Sequence, residues 1–118
     1  MTEDYQPPRC PPGLAPAGQK LWRTYVNQWE LRADEQLTLW RAAKQECDNA
    51  RLEEALAGEP VLVPGSQGQL VVNRLCAELR AGRLTTQRLL GALVADGNEP
   101  AGLRKSSAGR KLAKARWG

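Results

Sequence analysis

The residues of this sequence best suited to chemistry are a group of cations near its C-terminal end. Residues 100–118 contain six Lys or Arg and no acid, a net charge of +6, whereas residues 1–99 contain eleven Lys or Arg and thirteen Asp or Glu, a net charge of −2. The six cations are Arg104, Lys105, Arg110, Lys111, Lys114 and Arg116. Neutralising phosphates with such side chains releases counterions and drives sequence-independent DNA affinity. The segment therefore predicts contact with nucleic acid, and Trp117 beside it could stack on a base.

Two other interpretations of this basic segment stay open. It could be a solvated tail that aids solubility, or it could bind an acidic protein partner. An adaptor of that last kind would show no salt-dependent affinity for DNA.

Catalytic and metal-binding groups are scarce. The chain has no His, which removes the commonest general base, and it has no GxxxxGK[ST] phosphate loop. Cys10, Cys47 and Cys76 are far apart, so a structural zinc site is not expected. The pair Glu53-Glu54 has no evident third ligand and is interpreted as a solvated helix face. We predict that the chain is not an enzyme and that it holds no metal and no cofactor.

The pattern of apolar residues predicts the elements that position this segment. Residues 1–16 are rich in Pro and are predicted to be disordered, and residues 17–96 form a helical core. The core is predicted to contain a short helix at 17–28, long helices at 34–57 and 73–95, and a β-hairpin at 61–72. Residues 97–118 are the basic C-terminal tail.

Local signals mark the ends of these elements. Asp34 and Glu35 suit the positive end of a helix dipole, and Gly58 suits a helix C-terminus. Asn73 is a candidate N-cap for the last helix. Gly82 and Gly91 weaken that helix by about 1 kcal/mol each relative to Ala, unless they permit close helix packing.

The two long helices are expected to pair as a helical hairpin, with apolar stripes wider than one partner can cover. This favours self-assembly, and the side chains that we predict to carry it are Leu37, Trp40, Leu79, Leu90 and Leu93. An isolated two-stranded β-hairpin is marginal, so it must pack on the helices or on a neighbouring subunit.

The sequence predicts neither a membrane-spanning segment nor a secretory signal. No run reaches the roughly 18 apolar residues needed to span a bilayer, and the N-terminal stretch lacks the features of a secretory signal. We therefore expect no membrane partner and a place in the cytoplasm.

The aromatic residues Trp22, Tyr25 and Trp29 recur at helical spacing, which favours core packing onto the long helix. A short helix, a short turn and a second helix also suggest a weak helix-turn-helix-like pattern. The alternative function that follows is a small dimeric DNA-binding transcriptional regulator.

The order of several segments resembles a known family. The segments are Gly18–Arg23, Trp29–Glu35, Leu52–Gly58, Val63–Gly68, Asn73–Arg80, Leu89–Leu93 and Ala113–Gly118. Over roughly residues 12–95, with a similar basic end, the chain resembles the terminase small subunits of tailed double-stranded-DNA phages and prophages.

The resemblance implies a specific role and architecture. Such small subunits recognise viral DNA at the start of genome packaging, and they recruit and regulate a large subunit that carries the ATPase motor and the nuclease. They have no catalytic site and usually assemble into homo-oligomeric rings. The expectation is thus an all-α, ring-forming helical hairpin in the host cytoplasm, with viral DNA and the large subunit as partners.

Overall fold

A computed structural model describes residues 6–93 and the backbone of residues 104 and 105. The helices are α1 (Pro16–Gln28), α2 (Ala33–Ala57) and α3 (Arg74–Leu93), and the strands are β1 (Trp29–Glu30), β2 (Leu62–Pro64), β3 (Leu70–Val72) and β4 (Arg104–Lys105). Strand β1 pairs with β4, and β2 pairs with β3. The predicted, mostly helical class with a small β-hairpin is confirmed.

The helices begin and end where local chemistry favours it. Pro16 lies at the start of α1, where its missing N–H costs no helical hydrogen bond. The side chain of Asn73 accepts a hydrogen bond from the backbone N–H of Leu75 at 3.0 Å, so Asn73 caps α3 as predicted. The predicted last residues of α3, 94 and 95, lie outside the described residues.

Helices α2 and α3 form an antiparallel pair, and α1 packs on α2. The pairing direction follows from three contacts, because residues late in α2 meet residues early in α3. Glu53 meets Arg83, Asn49 meets Thr86, and Leu39 and Leu93 share one apolar cluster. The buried members of that cluster are Leu14, Trp22, Val26, Leu31, Leu39, Ala43, Cys47 and Leu93.

Two glycines allow the helices to approach closely. A Cβ at Gly18 would lie 2.6 Å from Cys47 Sγ and 2.7 Å from the carbonyl oxygen of Ala43, which brings α1 against α2. A Cβ at Gly82 would run into the side chain of Asn49, so α3 lies equally close to α2 there. A Cβ at Gly91 would have no described atom within 4 Å. Of the two glycines in α3, therefore, only Gly82 permits close packing.

The disorder predicted for residues 1–16 is wrong for residues 6–15. Leu14 is buried in the core, and Trp22 donates a hydrogen bond from Nε1 to the carbonyl oxygen of Pro8 at 3.3 Å. Gln19 also bonds the carbonyl oxygen of Leu14 at 2.8 Å. A Pro-rich segment loses little backbone entropy when it is held extended, so one buried Leu and a few hydrogen bonds hold it in place.

The buried face of α2 does not include Leu37, which is predicted to carry self-assembly. Leu39 is fully buried, whereas Leu37 is 48% exposed. The inward positions include the polar residues Glu35 and Asn49, which interrupt the apolar periodicity on which the prediction was based. Within the described part of the chain, no helix has the length and apolar character needed to cross a membrane.

Candidate nucleic-acid and assembly surfaces

The start of the basic tail is attached to the helical body through its backbone. Strand β4 pairs antiparallel with β1, so that Lys105 lies opposite Trp29 and Arg104 lies opposite Glu30. These are the first two of the six cations predicted to contact DNA. The remaining four, Arg110, Lys111, Lys114 and Arg116, lie outside the described residues.

The strand β1 forms because α1 must stop before α2 begins. Trp29 is the C-cap residue of α1 and has an extended backbone, with φ −128° and ψ 145°. Leu31 is buried in the core, and Arg32 is again extended as the N-cap of α2. Strand β1 thus lies in a stretch fixed at both ends, where its backbone can pair with the tail.

Charged groups hold the turn from β1 into α2. The carboxylate of Glu35 accepts a hydrogen bond from the backbone N–H of Arg32 at 2.7 Å, which closes the first turn of α2. The guanidinium of Arg32 bonds both carboxylate oxygens of Asp34, at 3.1 and 3.3 Å. These bonds lower the pKa of Asp34 and raise that of Arg32. The attachment point of the tail is therefore next to a well-bonded helix start.

The residues predicted to carry self-assembly divide into two groups. Leu79 and Leu93 are buried within the single chain, so they stabilise the pairing of the helices and are not available to a partner. Leu37 is exposed, and Trp40 is half-buried with the Nζ of Lys44 5.8 Å from its ring centroid. Leu90 is half-buried against the core and lines a groove beside α1 with a cavity volume of about 420 Å³.

The β-hairpin presents an apolar face that the sequence analysis did not assign to assembly. Leu62 lies opposite Val72, and Pro64 lies opposite Leu70. Cross-strand partners and alternate residues point to the same side of a strand pair, so these four side chains share one face. Leu62, Leu70 and Val72 are 51–66% exposed. The hairpin therefore does not bury this face on its own helices.

The described residues show no arrangement suited to metal binding. No group of three or more His, Cys, Asp or Glu side chains there could hold a metal ion. Glu53, considered above as a ligand, accepts a hydrogen bond from Arg83 at 3.2 Å. All three cysteines are free thiols, and Cys47 Sγ accepts a hydrogen bond from the backbone N–H of Ala15 at 3.2 Å.

Comparison of the chain with protein-family models, with curated proteins and with solved structures finds no match. Its function is therefore inferred from its residues and their placement.

Proposed function

We propose that this chain is the small subunit of a phage terminase. In this role it binds double-stranded viral DNA to start genome packaging, and it recruits and regulates the large subunit that carries the ATPase and nuclease. It assembles as a homo-oligomeric ring in the host cytoplasm and catalyses no reaction itself.

The observation that carries the proposal is the separation of an apolar surface from a basic one along α2. The attachment point of the tail, β1, directly precedes α2, and the apolar face of the hairpin follows it. Helix α2 has 25 residues, which places its ends about 36 Å apart at a rise of roughly 1.5 Å per residue. Self-association at the hairpin end would leave the basic tail free to contact DNA.

Self-assembly is supported by what the single chain leaves exposed. An isolated two-stranded hairpin is marginal in water, and here its apolar face has no covering helix among the described residues. Side chains of this kind are normally covered by a partner. A ring of copies would cover them, and exposed Leu37 adds apolar surface to the outside of α2.

The geometry of α1 and α2 disfavours the alternative of a dimeric transcriptional regulator. In a helix-turn-helix the N-terminal residues of the second helix contact the bases. The corresponding residues of α2 are Asp34 and Glu35, and Glu35 is buried and bonded to the backbone of Arg32. Carboxylates at that position would face the phosphates and oppose DNA binding.

The DNA part of the proposal is tested with the full chain and a labelled DNA duplex. We expect binding to weaken as NaCl rises, with a slope of roughly 0.9 per phosphate neutralised. The variant R110Q/K111Q/K114Q/R116Q should bind more weakly and with a smaller slope. An affinity that is absent, or that salt does not change, would contradict the proposal.

The partner part is tested by co-purification with the terminase large subunit that we expect to be encoded beside this gene. The full chain should retain the large subunit on a column and change its ATPase rate. A specific palindromic DNA site bound by a dimer, with no effect on the large subunit, would instead support the regulator.

A further inference from the structure

The nearly neutral body of the protein contains two basic helices, α1 with a net charge of +2 and α3 with the larger net charge of +3. Helix α3 carries four Arg and one Glu, a net charge of +3, whereas α2 carries three Lys or Arg and six Asp or Glu, a net charge of −3. The two contributions cancel in the total charge of residues 1–99. On net charge alone, phosphate contact is therefore predicted only for the tail.

Three of the four arginines of α3 are exposed and form no ion pair with another described residue. They are Arg74, Arg80 and Arg88, whereas Arg83 bonds Glu53 across the helix pair at 3.2 Å. Among the described residues, salt bridges therefore account for one of these four charges. The other three are available to a partner.

Arg80 and Arg88 lie on the exposed surface of α3, where Arg80 also borders a groove that Leu56 of α2 lines. Arg80, Leu84 and Arg88 follow one another at intervals of four residues, so they form a line along the helix surface. Leu84 in the middle of this line is 44% exposed. The buried residues of α3 fall on the opposite side, namely Leu79, Gly82, Thr86 and Leu93. Arg80 and Arg88 are about 12 Å apart along the axis at a rise of roughly 1.5 Å per residue.

The chemistry of this line fits the phosphate backbone of a DNA duplex. The guanidinium of Arg presents a planar fork that bonds phosphate oxygens in pairs. Duplex DNA carries about one negative charge per 1.7 Å of its axis, so a 12 Å span meets several phosphates. Helix α3 contains no aromatic residue, so it lacks the stacking side chains that single-stranded nucleic acid requires.

A second copy of the chain matches this line poorly. The outward side of α2 carries Arg41, Lys44 and Arg51. The two exposed acids there are already paired, Asp34 with Arg32 at 3.1 Å and Asp48 with Arg51 at 3.7 Å. The exposed face of the β-hairpin is apolar and carries no charge. Among the described residues neither surface offers a free carboxylate, and the exposed acids Glu54 and Glu59 lie at the hairpin end of α2.

We propose that Arg80 and Arg88, together with Arg74 at the start of the helix, form a second DNA-binding surface, the α3 arginine face, which contacts duplex phosphates independently of the tail. The inference rests on the proposed DNA-binding function and extends it to the body of the protein. DNA held at the tail then also lies along α3, which fixes its direction relative to the helix pair.

The test compares full-length variants by fluorescence anisotropy with a labelled 30-base-pair duplex over a series of NaCl concentrations. R80Q/R88Q removes two charges from the α3 arginine face, and R23Q/R41Q removes two exposed charges from α1 and α2 as the matched control. We expect R80Q/R88Q to weaken binding more than tenfold and to reduce the salt slope by about two. The control should change the affinity less than threefold. Thermal unfolding should show that both variants are folded.

Four outcomes would overturn the inference. R80Q/R88Q could bind DNA as the wild type does while R110Q/K111Q/K114Q/R116Q loses affinity, which would leave the proposed function intact and refute only this surface. A fall in the light-scattering mass of R80Q/R88Q would assign the arginines to contact between copies. Loss of poly-glutamate binding at unchanged DNA affinity would assign them to an acidic protein. If the wild type binds no DNA, the proposed function and this inference fail together.

Discussion

Asn49 on α2 donates a hydrogen bond from its side-chain amide to the hydroxyl of Thr86 on α3 at 3.2 Å, and both residues are buried. The same amide also donates to the carboxylate of Glu46 at 3.3 Å, and its oxygen accepts from Gln45 at 3.1 Å. A buried polar group with its bonds satisfied fixes how two helices align, because a shift along the axis would break those bonds.

Removing this amide should destabilise the helix pair. In Asn49→Ala the hydroxyl of Thr86 loses its donor in a buried position, which costs roughly 1–3 kcal/mol. The double variant Asn49→Ala/Thr86→Val removes both partners, so its loss should be smaller than the sum of the two single losses. Urea unfolding at a fixed protein concentration measures these differences. Strict additivity would show that the two side chains are not coupled.

Two glycines of α3 should respond in opposite directions to the same substitution. Gly82→Ala places a Cβ against the side chains of Asn49 and Gln45, and Asn49 cannot move without breaking its buried hydrogen bonds. Overpacking of this kind typically costs about 1–3 kcal/mol. Gly91→Ala meets no described atom within 4 Å and should stabilise the helix by about 0.5–1 kcal/mol. Thermal unfolding followed by circular dichroism compares the pair, and a stable Gly82→Ala would refute the close packing.

The helices and the hairpin could be predicted from the sequence because caps and periodicity are local. The boundaries of α2 and α3 follow from Gly58 and Asn73, and they agree with the structure within one or two residues at the described ends. The interior of the helix pair could not be predicted in the same way. Asn49 and Thr86 are polar and Gly82 has no side chain, so none of them contributes to a hydrophobic stripe.

The long-range features of the candidate site could not be predicted from the sequence either. Strands β1 and β4 have two residues each and are separated by more than 70 residues, so neither shows an alternating pattern. The arginines of α3 were hidden because the acids of α2 balance them in the total charge. Their exposure and the single ion pair of Arg83 became visible only once the helices were placed.

Acid should remove the contribution of Asp34 to the start of α2. The pKa of Asp34 lies below its ordinary value of 3.8 because the guanidinium of Arg32 bonds its charged form. A lowered pKa means that the stabilisation is complete above the ordinary value and is lost as the pH falls through the folded-state value. Asp34→Asn should therefore unfold at a lower temperature than the wild type at pH 7, with a difference that closes at strongly acidic pH. A difference that is constant with pH would contradict this cause.

The apolar face of the hairpin should control the strength of self-association. Leu62→Thr/Leu70→Thr keeps β-forming side chains while it removes two that are 51% and 66% exposed. If these side chains are covered in the assembly, the substitutions should weaken each contact between subunits by roughly 2 kcal/mol. The association constant of that contact then falls more than tenfold. Sedimentation velocity over a dilution series would show smaller species. Leu84→Gln, on the outside of α3, is the matched control and should leave the sizes unchanged.

The solution mass of the full chain by light scattering, with and without residues 101–118, tests the central claim most directly. The truncation removes β4 and all six tail cations but leaves α2, α3 and the hairpin in place. We predict a mass of many subunits that the truncation preserves, because assembly depends on the helix pair and its hairpin. A monomer or a dimer for both chains would contradict the ring and favour the small regulator.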